Sequence, residues 1–209
     1  MDNNQASIEF YKNIASKIND AKDVKLIPIN DYTNYDIEFI AKYTCEKLID
    51  MGSGTGLIIN NLTEHFKSIT AVELFEEFSQ YILRDKNIKI VHENLLTYKT
   101  EERYNLATMF GVAHHFNSDE SLMIYKNVFA ILNINGVFIL KNQFALEKTK
   151  TVTYSKELGA KYFAQYRELS FEIERLKSIG FKEVDIIDIY PIEANRWDDT
   201  HFYALVCQK

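Results

Sequence analysis

A carboxylate and three alternating glycines stand in one short run, Asp50-Met51-Gly52-Ser53-Gly54-Thr55-Gly56. Glycine enters backbone conformations closed to other residues and lets a ligand approach without meeting a Cβ. Turns of this kind hold phosphates, dinucleotides or other nucleotide-like ligands. A phosphate loop needs a lysine followed by serine or threonine, and Leu57-Ile58-Ile59 stands there instead. A dinucleotide turn places its third glycine three residues after the second, whereas Gly56 follows Gly54 by two. Glu73 closes an apolar run 21 residues beyond Gly52. A carboxylate at such a strand end can accept hydrogen bonds from both hydroxyls of a ribose. Further on, His114 and His115 follow another apolar run. Imidazole titrates near pH 6.5 and can take a proton from a hydroxyl. Neighbours in a loop point apart, so at most one of the two should face a substrate; the other reading for either is structural packing.

Strands and helices alternate around these groups. Ile8, Tyr11, Ile14 and Ile18 recur at helical spacing, and a second helix is expected over residues 35–43. Short strands are expected at 47–50, 68–73, 88–92, 104–110 and 136–141. Helices are expected after the glycine run, from the periodicity of Leu57, Ile58, Leu62, His65 and Phe66, and over 75–83. Ser118 is expected to open another helix, with Asp119 and Glu120 in its first turn, where carboxylates favour the helix dipole. Residues 142–166 read as irregular. Leu169, Ile173 and Leu176 mark a helix stopped at Gly180. Strands at 181–190 and 202–206 are joined by a loop too short for a parallel crossover, which makes them an antiparallel hairpin. The fold class is α/β, Rossmann-like, a mostly parallel sheet with one antiparallel strand near its C-terminal end. In such a sheet ligands bind at the carboxyl ends of the strands, near the point where strand order reverses.

The pattern Asp50-x-Gly52-x-Gly54-x-Gly56 resembles motif I of the class I S-adenosylmethionine-dependent methyltransferases. Glu73, the Glu93-Asn94-Leu95 run, Phe110-Gly111 after the fourth strand and Asn135-Gly136 before the fifth fit the same family. The resemblance implies a single domain over residues 1–209. Within it, 1–44 would be a helical cap, 45–142 a cofactor core, and 143–209 an acceptor-side segment with a closing hairpin. It implies S-adenosyl-L-methionine as cofactor, held by Asp50, Gly52, Ser53, Gly54, Thr55 and Gly56, by Glu73 and Leu74, by Glu93, Asn94 and Leu95, and by Phe110 and Gly111. Asp50 would both cap the turn and orient the cationic methionine end. Asn94 stands where the family usually has aspartate, and Asn105 replaces a common aspartate at the start of the fourth strand; an asparagine can still accept from the adenine amino group through its carbonyl.

Methyl transfer is an in-line displacement at an activated carbon. The protein must align a deprotonated nucleophile and exclude water. His114 or His115 is the candidate base. Lys141, Asn142 and Gln143 leave the fifth strand at the same rim, Tyr162, Tyr166 and Arg167 follow, and the last loop brings Arg196, Trp197 and His201. Lys141, Arg167 and Arg196 favour a phosphate or a hydroxyl over an ammonium. Residues 141–144 and 195–197 are similar to methyltransferases of bacterial surface-polysaccharide pathways, including those that decorate capsules with O-methyl phosphoramidate. The expected acceptor is therefore an oxygen of a sugar or phosphorylated precursor. N-methylation of an amino sugar or other small amine, and a non-catalytic module that only binds the cofactor, stay open beside it.

The bulk properties narrow the partners. The net charge is −6, and no run of Lys and Arg supplies the basic groove that nucleic acid needs. The 209 residues suffice for one core. Cys45 and Cys207 lack metal-ligand spacing and read as free thiols of a reducing cytoplasm. No signal-peptide core opens the sequence, and the longest apolar stretch, at 128–140, is broken by Asn133, Asn135 and Gly136. The expectation is a cytoplasmic enzyme acting on a small molecule, with no metal, membrane or nucleic-acid partner and an oligomeric state the sequence does not give.

Overall fold

A computed structural model describes residues 3–24, 32–155, 159–195 and 197–209. Helix α1 (Asn3–Ala15) and helix α2 (Thr33–Ala41) precede the sheet. Then come β1 (Cys45–Met51), β2 (Phe66–Val72), α3 (Glu76–Ser79), β3 (Ile88–Val91), β4 (Tyr104–Phe110), α4 (Ser118–Ile131) and β5 (Leu132–Ala145). The chain continues through β6 (Lys150–Ser155), β7 (Ala160–Tyr166), α5 (Leu169–Ile179), β8 (Glu183–Asp188) and β9 (Thr200–Gln208).

The main sheet has the order β3-β2-β1-β4-β5-β9-β8. Strands β1 to β5 pair in parallel, and β9 runs antiparallel to both β5 and β8. Strand order reverses between β1 and β4, which places the expected crevice at their carboxyl ends. Alternation along each strand feeds two cores. Leu48, Leu106 and Ile139 face one layer with Phe39 and Ile40 of α2. Ile49, Ala107 and Phe138 face the other, with Tyr125 of α4 and Leu176 of α5. Burial on both faces explains the adjacent apolar pairs Leu48-Ile49 of β1 and Leu106-Ala107 of β4.

Three local expectations need correction, and one helix start is as expected. Only a 3-10 turn, Ile59–Asn61, follows the glycine run in place of a helix. Asn61 Nδ2 bonds Leu57 O at 3.0 Å, which competes locally with helix propagation, and Asn60 Nδ2 ties the turn to Tyr81 O at 3.0 Å. The helix expected at 75–83 shrinks to the four residues of α3. Helix α4 does begin at Ser118, with Asn117 as its cap: the Asn117 side chain accepts from Asp119 N and Glu120 N while Glu120 reaches back to the Asn117 amide. Finally, residues 142–166 are regular: β5 runs on to Ala145, and β6 and β7 form an antiparallel hairpin. Among the described residues no helix is long and apolar enough to cross a membrane.

Candidate active site

A cavity of about 840 Å³ opens at the carboxyl ends of β1, β2, β4 and β5. One end is lined by Asp50, Gly52, Ser53, Gly54 and Thr55, by Glu73 and Leu74, and by Glu93, Asn94 and Leu95. Phe110 and Gly111 lead to the other end, where His114, His115, Lys141, Asn142 and Gln143 meet Tyr162, Tyr166 and Trp197. Sequence positions more than a hundred residues apart thus share one wall.

At the first end, local hydrogen bonds shape the glycine turn. Glu73 Oε2 accepts from Gly54 N at 2.8 Å, and Oε1 accepts from Phe75 N at 2.9 Å. Burial raises the Glu73 carboxyl above its ordinary value, while these amides oppose the shift. Asp50 is buried as well: desolvation pushes its pKa up to about 6, against hydrogen bonds from Thr108 and Ser53. Thr108 Oγ1 donates to Asp50 Oδ1 at 2.7 Å. Thr55 Oγ1 donates to Ala21 O at 2.7 Å and so ties the turn to the N-terminal segment. The Asn94 carbonyl is engaged by Leu96 N at 2.9 Å, and its amide reaches Asn4 Oδ1 of α1 at 3.3 Å. Gly56 does not line the cavity; a Cβ there would sit 2.8 Å from Ile82 Cγ1, so this glycine serves close packing.

At the second end, Lys141 Nζ donates to Asp36 Oδ2 at 2.8 Å and to Tyr190 OH at 2.5 Å. The phenol of Tyr190 also donates to the Asp36 carboxylate at 2.7 Å. The Lys141 ammonium lies 4.9 Å from the Phe110 ring centroid. Gln143 Nε2 donates to Thr200 Oγ1 at 2.6 Å. His114 Nδ1 meets Asn142 Oδ1 at 2.9 Å, and its ring stacks on Tyr166 at 5.3 Å and 15°. Trp197 packs edge-on against Tyr166 at 5.2 Å. His115 lies between Tyr11 and Tyr162; burial depresses its pKa well below the ordinary histidine value, His114 adding to the effect. Its Nδ1 is enclosed with no hydrogen-bond partner among the described residues.

Two expected acceptor contacts are corrected by this geometry. Arg167 is 1% exposed and lies behind the histidine turn. It donates to Glu172 Oε1 at 2.9 Å, Phe116 O at 2.8 Å and Ala113 O at 3.0 Å, which makes it a brace for that turn. His201 does not line the cavity; it is held in the last hairpin by Asn195 at 2.7 Å and Asp188 at 2.8 Å. Arg196 lies outside the described residues. The sequence reading missed Asp36, Tyr32 and Tyr190, all of which line the acceptor end. Tyr32 stacks on Tyr190 at 5.0 Å. Only the tyrosine content of these segments hinted at such a wall.

A sequence profile described as a methyltransferase domain matches residues 14–196. The small-subunit ribosomal RNA methyltransferase A of Mesomycoplasma hyopneumoniae (strain 232) is 27% identical over 131 residues, 59% of this chain and 50% of that protein. The chain thus spans about half the length of these curated relatives. Carboxy-S-adenosyl-L-methionine synthase of Nautilia profundicola is 21% identical over 213 aligned residues, 88% of this chain and 90% of that one. Among solved structures, the DhpI complex with S-adenosylhomocysteine superposes with a TM-score of 0.76 at 16% identity, over 98% of this chain and 95% of that one. The Burkholderia thailandensis 1,6-didemethyltoxoflavin-N1-methyltransferase, solved with 1,6-didemethyltoxoflavin and S-adenosylhomocysteine, gives 0.74 at 18% identity over 95% and 86%. These structures share the fold.

Proposed function

From the premise that the chain belongs to the methyltransferase-domain family, with S-adenosylmethionine as its methyl donor, we propose that it methylates an uncharged hydroxyl of a small molecule, with His114 as base. The observation that carries this reading is one continuous cavity running from the glycine turn to His114. The residues at its first end fit the cofactor. At Gly54 and Gly111 a Cβ would meet no atom within 4 Å, so the backbone is open where a ligand must come close. Asp50 and Glu73 stand beside that opening with carboxylates for an ammonium and a ribose.

The bound cofactor supplies a methyl group already activated on a sulfonium. The chain has to hold the acceptor in line, keep water out and take the hydroxyl proton. The ring wall of Tyr166, Trp197, Tyr32 and Tyr190 supports a ring-bearing acceptor. Charge argues against a phosphate. Lys141 is the one Lys or Arg among the described lining residues, and Asp36 already neutralises it. With Arg167 spent on the turn, the phosphorylated precursor, O-methyl phosphoramidate included, keeps only Arg196 of its three expected cations. A sugar hydroxyl of a surface-polysaccharide precursor stays within the proposed class.

The test is methyl transfer from labelled S-adenosylmethionine to a probe panel: methyl glucoside and catechol, glucose 1-phosphate, glucosamine, and a small-subunit ribosomal RNA transcript. Label on oxygen of an uncharged probe supports the proposal. Turnover confined to the phosphate, the amine or the RNA overturns the acceptor assignment, and no S-adenosylhomocysteine heat in calorimetry overturns the cofactor step.

A further inference from the structure

We propose that Asn142 is a positioning residue that fixes His114 as the Nδ1–H tautomer, leaving the Nε2 lone pair as the proton acceptor. This rests on His114 being the base of the reading above. The chemistry follows from one contact. Asn142 Oδ1 is a carbonyl oxygen and can only accept a hydrogen bond. With the amide oriented this way, His114 Nδ1, 2.9 Å away, carries the hydrogen. In a neutral ring the other nitrogen then carries the lone pair. Free neutral imidazole favours the opposite tautomer, so the protein imposes this one.

Asn142 is well placed to impose it. It is 1% exposed, in the carboxyl end of β5. Strand alternation sends it to the face opposite Lys141 and Gln143. Those two neighbours are themselves fixed, Lys141 by Asp36 and Gln143 by Thr200. The amide thus projects from a strand end that has little freedom to shift. His114 is restrained on two further sides. Tyr166 stacks on its ring, and Arg167 grips the Ala113 and Phe116 carbonyls that flank the turn. His115 has no comparable partner for its Nδ1 and is packed against Tyr11 and Tyr162. The two adjacent histidines therefore differ in role: His114 is oriented through Nδ1 by Asn142, whereas His115 packs between α1 and β7 and bonds the Phe163 backbone.

An asparagine orients the ring without lending it a negative charge. A carboxylate in the same place would stabilise the imidazolium and raise the His114 pKa. Among the described residues, the titratable and charged groups around this site are His115 on the same turn, Tyr166 on β7, Arg167 beneath the turn and, on the other face of β5, Lys141 paired with Asp36 of α2.

Nitrogen-15 NMR of the imidazoles in the full-length protein, free and with S-adenosylhomocysteine, tests the proposal without an acceptor. Wild-type His114 is expected to show a protonated Nδ1 and an unprotonated Nε2 above its titration midpoint. Asn142→Leu should shift His114 to the Nε2–H form or a mixture, with the other imidazole signals retained. Asn142→Asp should keep Nδ1–H and raise the His114 midpoint by about one unit, the effect of a carboxylate partner. A purely structural asparagine would move neither quantity. An Nε2–H wild-type ring, an unchanged tautomer in Asn142→Leu, or an unmoved midpoint in Asn142→Asp overturns the assignment. The Asp variant keeps the test decisive where the Leu variant does not fold. Failure of S-adenosylhomocysteine to bind would overturn the functional reading separately, since the free-protein spectra still decide the tautomer.

Discussion

The backbone amide of Gly54 donates to Glu73 Oε2 at 2.8 Å, joining the turn after β1 to the end of β2. The same carboxylate takes the Phe75 amide through its other oxygen. Glu73 therefore shapes the cofactor turn before any ribose arrives, and each oxygen keeps lone-pair capacity for a hydroxyl.

Glu73→Gln should weaken S-adenosylhomocysteine binding by about 10- to 100-fold, the scale of losing hydrogen bonds to a charged acceptor. A glutamine carbonyl can serve one amide, but its NH₂ would face the other N–H. Isothermal calorimetry at neutral pH reads the change. An unaltered dissociation constant would show that the carboxylate neither shapes the turn nor meets the ribose.

Asp50 gives a pH dependence with a definite sign. Its pKa is pushed up to about 6, chiefly by burial, with Asp36 adding to the rise and Thr108, Ser53 and Lys141 opposing it. Between pH of about 4 and about 6 the free folded protein keeps a proton that the unfolded chain releases. Its stability therefore falls as pH rises through that window and levels off above it. The ammonium group of the ligand needs the ionised form beside it, so S-adenosylhomocysteine affinity should rise about tenfold per unit up to about pH 6 and then flatten. Asp50→Asn should bind weakly at neutral pH and lose this slope. A slope that persists in the variant would assign it to Glu73, whose carboxyl is also raised.

Behind the site, Glu172 is fully buried and accepts from Arg167 at 2.9 Å and from Tyr125 OH at 2.5 Å. Removing one partner of a buried pair strands the other charge. Glu172→Leu should cost about 3–5 kcal/mol in chemical denaturation. Because Arg175 also pairs with Glu172 at 3.4 Å, the combined change Arg167→Met, Glu172→Leu, Tyr125→Phe, Arg175→Met should recover much of that loss while leaving the histidine turn without its brace. Equal stability of Glu172→Leu and wild type would remove the network from the account of the turn.

The legible parts of this fold were local ones. The β4 bounds follow from a mostly apolar run, broken by Asn105 and Thr108, between Arg103 and Gly111, and the glycine turn, Glu73 and the histidine turn line the cavity at strand ends. Long-range pairings were not legible. Asp36 meets Tyr190 across 154 positions and Lys141 across 105, and no periodicity links them. Arg167 looked like a loop cation beside an aromatic; its burial depends on Glu172, five residues on, turning inward from α5. The β6–β7 hairpin escaped because β6 is mostly polar and exposed, and in β7 the apolar Tyr162-Phe163-Ala164 stand side by side rather than alternating.

The pairing of Asp36 with Lys141 yields the sharpest test of acceptor class. Both side chains are buried at the acceptor end, 2.8 Å apart, and Tyr190 bonds to both. In that state Lys141 offers no net charge to a ligand. Asp36→Asn keeps the shape and a hydrogen-bond acceptor but removes the counter-charge. Lys141 would then seek an anion, because a buried ammonium without one is strongly disfavoured. Phenyl phosphate is a suitable probe, with a ring for the aromatic wall and an anion for the lysine. Its binding, followed by fluorescence of Trp197, the single tryptophan, should be weak in wild type and at least about tenfold tighter in Asp36→Asn, a gain of roughly 1.4 kcal/mol. Lys141→Met in the same background should abolish the gain, which separates charge from altered packing. Tight phenyl phosphate binding by the wild-type protein would sink the neutral-acceptor reading and restore the phosphorylated precursor; equal weak binding by all three would show that Asp36 does not set the charge preference.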